Sequence, residues 1–220
     1  MSRIRFDIIT IFPHIFDSYF SESIIKRAIE KKKIQIKTWN LRDFTKDKHK
    51  KVDDKPYGGG AGMVLQAEPI LRAVQKMKSG PKAKIILLSA KGKQFTQKMA
   101  YDWSKKCKNI ILISGRYEGI DERGRKTLKA EEVSAGPYVL TGGELPAMIV
   151  VDAVSRHVPG VLGRAESLEE KRYGVGVPAY TRPEILNWQG KKYSVPKILL
   201  SGNHKKVEAW RERHKRRAPL

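Results

Sequence analysis

The sequence predicts an α/β domain built on a largely parallel sheet, and three observations carry that prediction. Short runs rich in Ile, Leu and Val recur along the chain, segments long enough for helices separate them, and several runs pass straight into glycine-containing loops. The runs lie at 5–10, 34–38, 84–89, 109–114 and 138–140. Their near-continuous apolar character is what strands covered on both faces require.

Between the first two runs, Ile15 and Tyr19, Phe16 and Phe20, Ile24 and Ala28, and Ile25 and Ile29 fall four residues apart. That spacing predicts one amphipathic helix, with Lys31, Lys32 and Lys33 in its last turn. Helices are also expected over 69–78, 95–105 and 144–156; Pro69 sits near a helix start, where a missing N–H costs nothing. Residues 40–66 show no sustained periodicity, and a structureless connection of that length in a compact domain is usually functional or disordered. Its centre, KHKKVDDKPYGGGAGM, is basic and then glycine-rich. A second irregular stretch, 159–181, mixes Gly, Pro and charge and has the composition of an interdomain linker. After it come a short segment at 183–200, the turn SGNH, and a helix over 204–217 that carries Lys205, Lys206 and Arg211 among its cations.

A chain of 220 residues with 40% hydrophobic content buries a core in one domain with a small appendage. Lys and Arg number 45 against 23 acidic residues, a net charge of +22, which points to a polyanionic partner. No helix combines a basic face with a wide apolar one, and no stretch approaches the roughly 18 apolar residues of a membrane span. The first apolar run is broken by Asp7 and lacks a small-residue cleavage site, so it reads as a strand and not a signal peptide. The single cysteine, Cys107, excludes an internal disulfide and a Cys-based zinc site, so a reducing, cytoplasmic setting is expected.

The familiar nucleotide motifs fail. Gly58, Gly59, Gly60 and Gly62 follow KPY and not a strand, and their spacing misses the dinucleotide fingerprint. GIDERGRKT nearly spells a phosphate loop, but Arg125 displaces the lysine by one position. The five histidines form no zinc pattern. What remains is three apolar runs, IILLSAKG, ILISGRYEG and SAGPYVLTGGELP, each ending in a loop of small residues. Ligands of open α/β sheets sit beyond the carboxyl ends of the strands, so these loops together predict a pocket built mainly of peptide groups.

GRYEGIDER, YVLTGGELPAM, SRHVPGVLG, YTRPE and LLSGNH, with IITIFP and VDDKPYGGGAGM before them, closely resemble the bacterial tRNA (guanine-N1)-methyltransferase family, in order from about residue 7 to residue 204. The family methylates the tRNA guanosine immediately 3′ of the anticodon, position 37. The resemblance implies a SPOUT methyltransferase fold with a deep trefoil knot within about 85–145, inside a domain of residues 1–160. It further implies a flexible linker over 161–181 and a small, basic, α-helical tRNA-binding domain over 182–220, shortened relative to the family. A homodimer with its active sites at the interface is implied too, with no membrane association.

By the same resemblance S-adenosylmethionine is held by Leu87, Leu88 and Ser89, by Gly115, Arg116, Tyr117, Glu118 and Gly119, and by Ala135, Gly136, Pro137, Tyr138, Val139, Leu140, Gly142, Gly143 and Pro146. Pro137 and the pair Ala90 and Lys91 depart from the residues usual at those positions, and backbone contacts are expected to tolerate both changes. Glu118 is connected with a divalent ion, so Mg2+ assistance is an expectation. Arg156 matches the arginine that stabilises negative charge developing on guanine O6. The family's general base is an aspartate, and a gapless match puts Lys171 there; a lysine stays protonated unless strongly desolvated. Glu170, and after it Glu169, are therefore the candidate bases. RNA contacts are expected from Asp53, Asp54, Gly58, Gly59 and Gly60, from the basic residues of 42–55, and from Lys205 and Arg211. The competing readings are a related knotted methyltransferase with another RNA target, and a catalytically weakened RNA-binding homologue.

Overall fold

The computed structural model describes residues 3–77, 83–163 and 176–215. It divides into two units, residues 1–162 and 163–220.

The larger unit is a five-stranded, all-parallel sheet covered on both faces. In chain order it contains β1 (Ile4–Thr10), α1 (Asp17–Phe20), α2 (Ser23–Glu30), β2 (Ile34–Asn40), the two-residue strands β3 (Asp53–Asp54) and β4 (Val64–Leu65), α3 (Ala67–Lys76), β5 (Lys84–Gln94), α4 (Gln97–Lys106), β6 (Asn109–Ser114), α5 (Glu122–Leu128), β7 (Glu131–Ser134) and α6 (Glu144–Ser155). The main sheet runs β2-β1-β6-β5-β7. Alternation along the strands assigns each face its core. Ile110 and Leu112 of β6 join Phe6, Ile8 and Ile86 beneath Phe16, Ile25, Trp103, Val150 and Val154. Ile111 and Ile113 pack on the other face with Ile9, Leu87, Leu41, Phe44, Ile70 and Ala73.

Asp7 is the polar exception within β1 and is fully buried. Arg5 Nε lies 2.8 Å from Asp7 Oδ2 and Trp39 Nε1 donates to Asp7 Oδ1 at 2.7 Å, which ties β1 to β2 by a specific partner as well as by apolar burial.

Two expectations are overturned, and three segments carry more structure than expected. The single helix predicted across residues 15–29 is three pieces: a 3₁₀ turn at Pro13–Phe16, then α1, then α2. Ser21 and Glu22 interrupt it, Ser23 takes φ +49°, and Ser21 Oγ donates to the Ser18 carbonyl, the local competition by which serine breaks helices. The strand expected at 138–140 is a loop, and the sheet edge is β7. There Ser134 Oγ bonds the Gly136 carbonyl at 2.8 Å, and Pro137 offers no N–H, so the chain leaves the sheet. Strand β5 continues past residue 89 through a bulge and pairs with β7 again at Lys93 and Val133. The 40–66 stretch holds a 3₁₀ turn at Leu41–Phe44 and the β3–β4 hairpin. Helix α5, unpredicted, starts at Asp121, whose side chain accepts from the Arg123 N–H.

In the smaller unit β8 (Ile185–Trp188) and β9 (Lys191–Ser194) form a hairpin, followed by α7 (Lys197–Leu200) and α8 (His204–His214). The hairpin adds a β element to a region expected to be helical. Gln189 and Gly190 both take positive φ, +48° and +73°, as the two-residue turn requires. Asn203 caps α8 by accepting from the Lys206 N–H at 3.1 Å. Trp210 is buried against Tyr180 and a stacked His214.

One polar contact on the larger unit is measurable. Tyr19 donates to Asp152 of α6, and that bond, aided by burial and by the carboxylate's charge, pushes the phenol from its ordinary 10 to about 12. A pKa raised in the folded state stabilises below the unfolded value and is lost as pH climbs through the folded one. The Tyr19–Asp152 contribution is thus whole below about pH 10 and gone above about pH 12. An absorbance titration should find a tyrosine ionising near 12, and Asp152→Asn should return it toward 10.

Candidate active site

The three loops expected to form a pocket do surround one cavity, of about 380 Å³, at the carboxyl ends of β5, β6 and β7. The first contributes Leu87 to Lys91, the second Gly115 to Ile120, and the third Ser134, Ala135 and Tyr138 to Gly143, with Pro146 of α6. Two residues assigned to the cofactor, Gly136 and Pro137, do not line it. Gly136 instead lies under the Tyr138 ring, where an added Cβ would come within 2.6 Å of the ring carbon Cζ.

The loops are locked to each other through main chain. The Gly143 N–H donates to the Gly115 carbonyl at 2.9 Å, and an added Cβ at Gly143 would stand 2.7 Å from Ser114 Cα. Only glycine permits that approach. Tyr117 holds the left-handed conformation at φ +58° and Gly119 takes φ +113°, so the second loop doubles back at the strand end. Val139, Leu140 and Thr141 have no backbone N–H bond to another main-chain group among the described residues. A volume in the range of cofactor sites, a wall of peptide groups and loop amides still open to a partner fit an adenosine-type ligand.

The cavity carboxylates are Glu118, Glu122 and Glu132. Arg125 bonds Glu122 and holds it below the usual carboxylate range, the wrong direction for a general base. Glu132 has Lys91 at 3.4 Å and Arg125 at 3.6 Å. Glu118 packs on Gly62, where an added Cβ would meet Glu118 Oε1 at 2.6 Å. Among the described residues no group of three or more His, Cys, Asp or Glu side chains is placed to hold a metal ion.

The glycine-rich segment is attached beside this cavity. Glu118 N–H donates to Met63 O at 3.0 Å, Leu65 N–H to Gly119 O at 3.0 Å, and Asp121 N–H to Leu65 O at 2.8 Å. Asp53 and Asp54, in β3, pair with Leu65 and Val64, so they share a hairpin with the loop that holds Gly58, Gly59 and Gly60. Arg156 is elsewhere: it caps the carboxyl end of α6, twelve helical residues beyond Gly143, which is about 18 Å along the axis. Glu169, Glu170 and Lys171 lie outside the described residues. Lys205 is exposed and Arg211 half-buried on α8 of the smaller unit. The lining residues Ile120, Glu122, Glu132 and Val133 lie outside the three loops expected to form the pocket; the capping pattern of Asp121 followed by Glu122 is the available signal for the first two.

A parallel α/β sheet with a peptide-lined cavity at its strand carboxyl ends has the layout of an α/β ligand-binding protein. Comparison with known proteins narrows this. Residues 4–219 match the family tRNA (Guanine-1)-methyltransferase TrmD. The tRNA (guanine-N(1)-)-methyltransferase of Dictyoglomus turgidum is 52% identical over 213 residues, 96% of this chain and 84% of the relative. The proteins of the same name from Clostridioides difficile and Dehalococcoides mccartyi are 49% and 46% identical, covering 94% and 98% of this chain and 90% and 87% of their own lengths. The chain belongs to the tRNA (guanine-1)-methyltransferase family and is an enzyme. Among the described residues no helix is long and apolar enough to cross a membrane.

The two glycines give a paired test. At Gly143 the neighbours of an added methyl are backbone atoms, whereas at Gly136 they belong to one side chain with space to turn, the half-exposed Tyr138. Gly143→Ala should cost about 1–3 kcal/mol in denaturant titration, as overpacking does, and Gly136→Ala clearly less.

Proposed function

We propose that this chain transfers the methyl group of S-adenosylmethionine to N1 of guanosine 37, immediately 3′ of the anticodon, in tRNA. The observation that carries this reading is the peptide-lined cavity at the three loops, in a chain of this family. The proposed fold is the SPOUT fold, with residues within about 85–145 forming a trefoil knot. The loops at 87–91, 115–119 and 135–143, with Pro146, would hold the cofactor, which supplies an electrophilic methyl on a sulfonium when bound. Guanine N1 carries a proton at neutral pH, so a carboxylate must accept it as the N1–methyl bond forms. Glu170 is the proposed base, with Glu169 the alternative. Arg156 is the proposed cation for the charge that gathers on O6, because its guanidinium is a fixed planar donor.

The distance between Arg156 and the cavity along α6 supports a site completed by a second copy of the chain. On the same helix Leu145 and Ile149 are exposed, as are Phe12, Ile15 and Tyr19 of the larger unit. Isolated apolar side chains at a surface need no explanation, but a set on α6 and on the segment that follows β1 suits a homodimer interface. The basic residues of 42–55, with Lys205 and Arg211, are proposed to grip tRNA phosphates. Asp53 and Asp54 are placed by the proposal near a guanine turned out of its stack, beside the hinge of Gly58, Gly59 and Gly60. The proposed compartment is the cytoplasm.

The test supplies labelled S-adenosylmethionine and tRNA transcripts with G or A at position 37. Transfer should require G. In single turnover Glu170→Gln should lose about 10²- to 10⁴-fold and Arg156→Ala about 10²- to 10³-fold. Equal transfer to both transcripts, or to neither, sinks the reading, and an unchanged Glu170→Gln variant sinks the assignment of the base. Binding should weaken steeply between low and physiological salt, in keeping with phosphate contacts.

A further inference from the structure

We propose that Glu144 and Arg116 are positioning residues that set the shape of the cofactor cavity, acting as a buried clamp between two of its loops. The proposal rests on the cofactor reading given above, and it assigns to Arg116 a role other than direct contact with the ligand.

Glu144 opens α6 with only 2% of its surface exposed, and it shares with Asp7 the distinction of being a buried carboxylate among the described residues. Its two oxygens are divided between two elements. Oε1 accepts from Thr10 Oγ1 at 2.8 Å, at the end of β1, and Oε2 accepts from Arg116 Nε at 2.9 Å, in the loop after β6. Thr10 Oγ1 in turn accepts from the Phe12 N–H at 2.9 Å. Arg116 spends its remaining reach on protein as well: Nη1 donates to the Thr141 carbonyl at 3.2 Å and the guanidinium lies 4.8 Å from the centre of the Phe12 ring.

One buried carboxylate thus joins the end of β1, the second loop and the third loop. Gly142, between the partners, has no room for a side chain, since an added Cβ would come within 2.6 Å of Glu144 Oε2. A charge buried this deeply is costly unless every lone pair is answered, and here both oxygens are answered by groups in other elements. The Gly143–Gly115 hydrogen bond holds the two loops at one point. The clamp adds a second, which removes the hinge freedom that a single bond would leave.

A wall held at two points presents its amides to a ligand without first paying to order them, so the clamp should appear in ligand affinity more than in the chemical step. The experiment compares wild type, Glu144→Gln, Arg116→Lys and the double variant Glu144→Gln/Arg116→Gln, all as full-length chains. It reads KM for S-adenosylmethionine and kcat, calorimetric binding of the cofactor without tRNA, and the melting temperature without ligand. Glu144→Gln should raise KM and the dissociation constant by about tenfold or more, with a much smaller change in kcat. Arg116→Lys keeps the charge and loses the planar fork, so it should fall between that variant and wild type. Glu144→Gln leaves a cation without its partner and should lower the melting temperature, whereas the double variant removes both charges and should recover it. Cofactor affinity should stay weak in that recovered double variant. A double variant that melts like wild type and binds like wild type overturns the clamp, as does a Glu144→Gln variant that loses kcat alone. A wild-type chain that does not bind S-adenosylmethionine overturns the functional reading itself, a separate result.

Discussion

The approach of Gly143 to the end of β6 is the contact on which the rest of the site depends. At that point the start of α6 comes close enough to Ser114 to exclude any side chain, and its N–H bonds the Gly115 carbonyl. The second and third loops are thereby neighbours whatever their side chains, and α6 is committed to lying along β6 and β1, where Val150 and Val154 reach the core. The cavity is the space left over by this commitment. It is bounded above by loops that turn back through left-handed residues and below by strand ends packed on both faces.

Much of this arrangement is legible in the chain, for a physical reason. A central parallel strand is buried twice over, so β1, β5 and β6 must be written as apolar runs, and their carboxyl ends must meet loops of small residues if a ligand is to sit there. Strand β7 escapes because an edge strand is half-exposed: EEVS shows no apolar run, while Tyr138 to Leu140 is apolar for a different purpose, lining the cavity. The break in the helix after Phe20 is harder to read, because the four-residue spacing persists on both sides of it. Spacing reports which residues share a face, not whether the backbone between them is continuous.

The site was less legible than the fold. Glycine-rich loops announce a peptide-lined pocket, but Gly136 and Gly143 are equivalent on paper and opposite in space: one lies under a ring, the other against a backbone. Arg116 reads as a ligand contact because it sits in the second loop; it lines the cavity, and its guanidinium is bonded to Glu144 and to the Thr141 carbonyl. The union of the glycine-rich hairpin with the second loop has no sequence signature, since all three of its hydrogen bonds are between main-chain groups that every residue carries. Arg156 could be recognised by its surroundings in the chain, yet its separation from the cavity follows from the length of α6 alone.

The cavity's peptide lining carries a consequence for how such a site tolerates change. Amides are common to nearly all residues, so a change of loop side chain, such as at Ala90 or Lys91, leaves the peptide groups of the wall in place. The specification is stored instead in loop length and in the positions where a side chain is forbidden. The residues most expensive to alter are those with nothing to lose, and a glycine here is an instruction about distance.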